Sequence, residues 1–204
     1  MGTNSDPNDK IGAIAIAGRI ESLCGGDCSI LWGVGIPEFE NGTAVSSVGG
    51  SIYNHHVFAL NRDRLVSSHI CPGDTSPSRK GPDAVINSQT DQEISNYTST
   101  DASIKTGYAI KATDKVDLLA EFMNYRATSA KVVIAFDLEY IPGKPEKYLN
   151  TQGMMFSALP CNQTGFNVPT KQYSISSNTW IVPVDLTLIN ARGHQHDGYE
   201  PLST

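Results

Sequence analysis

No stretch of this chain is apolar enough to cross a bilayer. The longest apolar run, around Ile11 to Ala17, falls well short of the roughly 20 residues a spanning helix needs. Long segments with apolar residues at i, i+3, i+4 and i+7 are also missing, which argues against a helical fold. Clusters of Lys and Arg are lacking. With 15 of them against 21 Asp and Glu, the formal charge is -6, unsuited to a nucleic-acid surface. No P-loop, dinucleotide fingerprint, Ser-His-Asp order or paired-carboxylate motif is present. Histidine is scarce: the chain has five, yet four of them form two tight pairs, His55-His56 and His194-x-His196.

What the sequence does contain is strand signal. Lys131 to Pro142, KVVIAFDLEYIP, alternates Val132, Ile134, Phe136, Leu138 and Tyr140 on one face. Thr179 to Arg192 repeats the pattern with Trp180, Val182, Val184, Leu186 and Leu188. Ile11 to Glu21, Ser29 to Ile36, Ser51 to Leu60, Gly107 to Ala112 and Val116 to Tyr125 bring the count to about seven strands. The turn-rich gap from Cys71 to Asp101 reads as a long surface loop or a locally disordered one. The expected fold is all-β: an antiparallel β-sandwich or jelly roll with almost no helix. Its core is expected to bury Trp180, Val182, Leu186, Phe136, Leu138, Leu118 and Phe58. Residues 1–10 read as a disordered or added N-terminus, 11–192 as the sandwich domain, and 193–204 as a tail.

The four cysteines, Cys24, Cys28, Cys71 and Cys161, allow three pairings. A tight Cys24–Cys28 loop with a long Cys71–Cys161 bridge is the pairing expected here. Three sequons at Asn41, Asn96 and Asn162 lie in turn-rich segments and mark candidate glycosylation sites. Even cysteines and sequons together point to secretion, in an oxidising extracellular compartment. A bare strand edge after Trp180 to Ile189 would need covering, so a second chain or a homo-oligomer is expected.

On a strand, alternate side chains share a face, so His194 and His196 can chelate one ion together. His55 and His56, being adjacent, point to opposite faces of a flat strand and converge only at a bulge or a strand end. Imidazole suits copper, zinc, iron or nickel. The competing plain reading is a core histidine beside a surface one. Cys24 and Cys28 match no zinc-finger spacing, and a small disulfide loop accounts for them.

The order of these motifs resembles the type II, ascorbate-dependent copper monooxygenases, the peptidylglycine alpha-hydroxylating and dopamine beta-monooxygenase group. LLAEFMNYRATSAKVVIAFDLEYIPG and GHQHDG are most similar to secreted plant and fungal relatives of the stress-up-regulated nodulin type. The resemblance runs from about Ser51 to Gly198. It implies two sandwich domains, each with one copper. His55 and His56 would hold the first copper with a third histidine from a later strand, and His194 and His196 would open the second site, completed by a methionine further on. In this chain Asn124 stands where the third histidine is expected, and the second-domain methionine has no counterpart: Met154 and Met155 precede the His-x-His pair, and the chain ends eight residues after His196. His69 lies in a loop next to Cys71, and Asp197 is placed to orient the imidazole of His196. The resemblance therefore implies a copper cofactor and a small hydrophobic organic substrate. Two other classes are open. One is a cofactor-free enzyme of secondary metabolism, a cyclase of Diels-Alder type working by a shaped pocket and hydrogen bonds. The other is a non-catalytic secreted binding or structural domain.

Overall fold

The computed structural model describes residues 13–45, 52–67, 80–89, 94–101, 103–154, 169, 171–176 and 185–191. Among these there is no helix. Nine strands follow one another: β1 Ala13–Ile20, β2 Cys28–Phe39, β3 Ile52–Ser67, β4 Lys80–Gln89, β5 Ile94–Asn96, β6 Thr106–Ile110, β7 Val116–Asn124, β8 Val132–Pro142 and β9 Leu149–Asn150. They form two sheets. The first has the order β1-β7-β3-β4, every pair antiparallel. The second has the order β5-β2-β6-β9, with β8 running antiparallel to β2 along nearly its whole length.

The two sheets pack face to face through alternate residues. Ile30 of β2, Ala59 of β3, Val85 and Ile86 of β4, Tyr108 of β6 and Val116 of β7 form one buried cluster. Val57 of β3 with Ala120 and Phe122 of β7 form a second, against which Phe39, Val132, Ile134 and Phe136 pack. This is the expected all-β, two-sheet arrangement. Close approach of the sheets depends on β2 carrying no side chain at two positions. A Cβ at Gly35 would lie 2.5 Å from a Val57 methyl, and one at Gly33 would lie 2.4 Å from Ile86. Ser88 Oγ of β4 accepts a hydrogen bond from Gly35 N at 2.7 Å, a polar tie across the same contact.

Three expectations need correction. The stretch Cys71 to Asp101 is not one loop, since it contains β4 and β5. β4 escapes an apolar reading because it buries Asp83, Ser88 and Gln89 alongside Val85 and Ile86. The expected strand Thr179 to Arg192 is absent where it is described: residues 185–191 carry no strand, and Leu186 and Leu188 are 47% and 69% exposed. Alternation there marks no strand pairing among the described residues. Trp180, Val182 and Val184 lie outside the described residues. Finally, Phe58, Leu118, Phe136 and Leu138 are half-buried, whereas smaller residues such as Val57, Ala59 and Ala120 are fully buried. The large buried side chains are instead Tyr108 and Phe122, with Ile30, Ile52 and Ile86.

Cys24 and Cys28 are joined by a disulfide at the entry to β2, as expected. Cys71 and Cys161 lie outside the described residues. The Arg64 guanidinium of β3 stacks 4.2 Å from the centre of the Tyr108 ring and donates to Ala109 O and Thr151 O. Gly153 N donates to the buried Asp83 carboxylate at 3.2 Å. Together Arg64 and Asp83 fasten the segment after β9 to the first sheet. Burial pushes the Asp83 carboxyl above the ordinary carboxylate range, and the opposing pull of Gly153 N–H and Arg64 does not offset it.

Candidate metal centre

β3 is the inner strand on which the site is built. Ile52, Asn54, Val57, Ala59 and Asn61 of β3 are buried. The alternation slips once. Asn54 pairs with Phe122 of β7 and His56 with Glu121, so His55 is an extra residue opposed by nothing. A bulge of this kind turns two consecutive side chains to one side. The imidazoles of His55 and His56 accordingly stack, centroids 3.8 Å apart and planes inclined by 30°.

β7 delivers the third group. Its core-facing residues are Val116, Ala120, Phe122 and Asn124, and Glu121 falls between them on the outer face. Glu121 Oε2 lies 3.0 Å from His55 Nδ1 and 3.6 Å from His56 Nδ1. One ligand atom from each residue can be chosen so that all three lie within 4.8 Å of one another. Ligand atoms bound to one ion at about 2.0–2.1 Å stand about 3–3.5 Å apart. Side-chain rotation could bring the three atoms from within 4.8 Å to that spacing. The imidazoles are 13% and 17% exposed and the carboxylate 35%, which leaves a ligand access from one side.

A row of rings continues along β3. Tyr53 stacks on His55 at 5.9 Å and Phe58 on His56 at 5.1 Å. Met123, which pairs with Tyr53, brings a thioether to the same face, and its sulfur accepts from Tyr125 Oη at 3.1 Å.

Asn124, aligned by resemblance with the third histidine, is fully buried on the opposite face of β7. Its amide donates to Thr128 O at 3.2 Å and accepts from Arg126 N at 3.1 Å, shaping the turn that follows the strand. It thus faces the core, on the side of β7 away from Glu121. Glu121 was not among the candidates, although it sits three residues earlier in the same quoted motif. The signal available was parity: on β7 an odd position shares the face of Glu121, an even one the core. His194, His196, His69, Met155 and Asp197 lie outside the described residues. Met154 is half-buried.

Of the sequons, Asn41 occupies an exposed turn in which its Oδ1 accepts from Thr43 N at 3.0 Å. Asn96, at the end of β5, is half-buried, with Oδ1 accepting from Thr98 N at 3.0 Å and Thr98 Oγ1 at 2.8 Å. Asn162 lies outside the described residues. No helix among the described residues is long and apolar enough to cross a membrane.

No family model, curated protein or solved structure matches the chain.

Proposed function

We propose that this chain is a secreted oxidoreductase module on a jelly-roll-like sandwich, holding one transition-metal ion through His55, His56 and Glu121 and hydroxylating a small organic molecule. The observation that carries the reading is the bulge at His55. Without it the two imidazoles would flank the sheet. With it they stand side by side, against a carboxylate from a strand remote in sequence. The disulfide at Cys24–Cys28 accords with an oxidising compartment.

Copper is the ion implied by the resemblance to the ascorbate-dependent monooxygenases, and two imidazoles with a neighbouring thioether at Met123 accord with it. When bound, the ion would supply the redox chemistry by which O2 is reduced. One oxygen atom enters a C–H bond of the substrate, and the other leaves as water with two electrons from an external reductant and two protons. The chain's own groups bind and orient. Glu121 provides the anionic donor in place of the expected third histidine, and the flanking rings of Tyr53 and Phe58 limit access to the ligating atoms. The carboxylate itself favours a second reading: two imidazoles and one carboxylate with open positions are also the donor set of non-haem iron oxygenases.

Metal analysis of protein purified without a His tag, followed by titration with Cu(II), Fe(II) and Zn(II), separates these. One equivalent of copper retained by the wild type and lost in His55→Ala and Glu121→Ala is the expected result. Preferential retention of iron selects the second reading. Absence of binding in the wild type, or binding unchanged in the variants, overturns the metal function and leaves the cofactor-free and non-catalytic alternatives.

A further inference from the structure

His56 stands in a cross-strand row of three side chains. Glu121 of β7 lies directly across from it on one side and Gln89 of β4 on the other. Residues directly opposite in antiparallel strands project to the same face with Cβ atoms about 4.5–5.5 Å apart. Gln89 therefore shares the outer face of the first sheet with the three ligating groups. It is only 6% exposed. Its Nε2 donates to Asn87 Oδ1 at 2.6 Å, which ties down one end of the amide. Its Oε1 is buried and has no hydrogen-bond partner.

An amide oxygen without a donor is a poor thing to bury, because in water it would accept hydrogen bonds freely. Here it is buried on a side chain that pairs across the sheet with His56. Asn87, across from Phe58, holds the amide from one side only and cannot also serve Oε1 with the acceptor oxygen it has already engaged.

Resting on the metal reading above, we propose that Gln89 is the ligand-selecting residue of this centre: its Oε1 accepts a hydrogen bond from a proton-bearing ligand atom held at the open position beside His56. In the resting protein that ligand is water. In the working protein it is a hydroxyl or N–H of the substrate, so Gln89 favours substrates that carry a donor next to the reacting carbon. Acceptor-only anions are disfavoured there, because they face the lone pairs of Oε1.

Copper and azide provide the test, with no need to know the substrate. Azide has no proton to donate, and it must displace the water that Gln89 holds. The wild type, Gln89→Leu, Gln89→Met and Gln89→Glu are each loaded with one equivalent of Cu(II) and titrated with azide, following its charge-transfer absorption to copper. Loss of one such hydrogen bond should make azide bind about tenfold more tightly in the Leu and Met variants. Gln89→Glu, which keeps the acceptor and adds charge, should bind azide more weakly than the wild type. Two apolar variants of different shape, with melting curves for each, ensure that a folded one is measured. Equal azide affinity in the wild type and a folded Leu or Met variant that takes up copper normally overturns the role of Gln89 and leaves the metal reading standing. A wild type that takes up no copper overturns both.

Discussion

His55 Nδ1 and Glu121 Oε2 lie 3.0 Å apart although 66 residues separate them in the chain. Two features bring them together. β3 and β7 pair antiparallel, and a one-residue slip at His55 turns its imidazole to the face on which Glu121 projects. The same slip stacks His56 beside it. The pair is a hydrogen bond between imidazole and carboxylate, and in the proposed metal centre both atoms would be ligands.

Asn124 gives a sharp test of which β7 residue completes the site. Asn124→His restores the histidine expected from the resemblance but places it in the core, away from His55 and His56. We expect no gain in metal affinity. Loss of the hydrogen bonds to Thr128 O and Arg126 N should lower stability by about 1–3 kcal/mol. Glu121→Gln should leave stability nearly unchanged and weaken metal binding at least about tenfold, in line with the cost of disturbing a metal site's donors. Competition with a chromophoric chelator and urea unfolding measure the two quantities. Tighter metal binding in Asn124→His would show that the strand can present its other face.

Asp83 sets an unusual pH dependence. Its carboxyl is raised above the ordinary 3.8 by burial, so the folded state holds the proton more firmly than the unfolded one. Its contribution is therefore most favourable below the unfolded pKa and is lost as pH rises through the folded pKa. Asp83→Asn removes the buried charge and keeps an acceptor for Gly153 N. It should raise Tm at pH 7, with the advantage shrinking as pH falls through the folded pKa and gone below the ordinary value of 3.8. Thermal melts of both proteins across that range provide the check. A lower Tm for the variant at pH 7 would mean that attraction to Arg64 outweighs desolvation.

At Gly35 the sheets approach backbone to side chain. Gly35→Ala would set a methyl 2.5 Å from Val57, itself fully buried on the strand that carries the histidines. Overpacking of this kind costs about 1–3 kcal/mol. Gly35→Ala combined with Val57→Ala should recover part of the loss. A double-mutant cycle by urea unfolding measures the coupling, and strict additivity would place the strain elsewhere.

Among the described sequons, the exposed turn at Asn41 offers its side chain to a modifying enzyme, whereas Asn96 is half-buried at a strand end. Expression through a eukaryotic secretory pathway should therefore give high glycan occupancy at Asn41 and low occupancy at Asn96. Peptide mapping before and after enzymatic deglycosylation tests this, and the reverse pattern would show that β5 is open to the enzyme during maturation.

Much of the fold is a local property and was legible from the residues. Period-two alternation in Val116 to Asn124 and Val132 to Pro142 reports strands, because each side chain's face follows from its own position in the chain. The Cys24–Cys28 bridge is equally local, closing a loop of a few residues. β4 was not legible, since its buried Asp83 and Ser88 are held by Gly153 N and Gly35 N, partners remote in the chain that no window of sequence contains. The exposed alternation at Leu186 and Leu188 shows the converse: a pattern can exist where no strand pairs with it. The paired histidines sit between these cases. Their residue type, adjacency and need for a bulge were all present in Ser51 to Leu60. Whether the bulge forms, which face it serves and which carboxylate answers it were decided by the register of β3 against β7, because a bulge is a relation between two strands and no single strand specifies it.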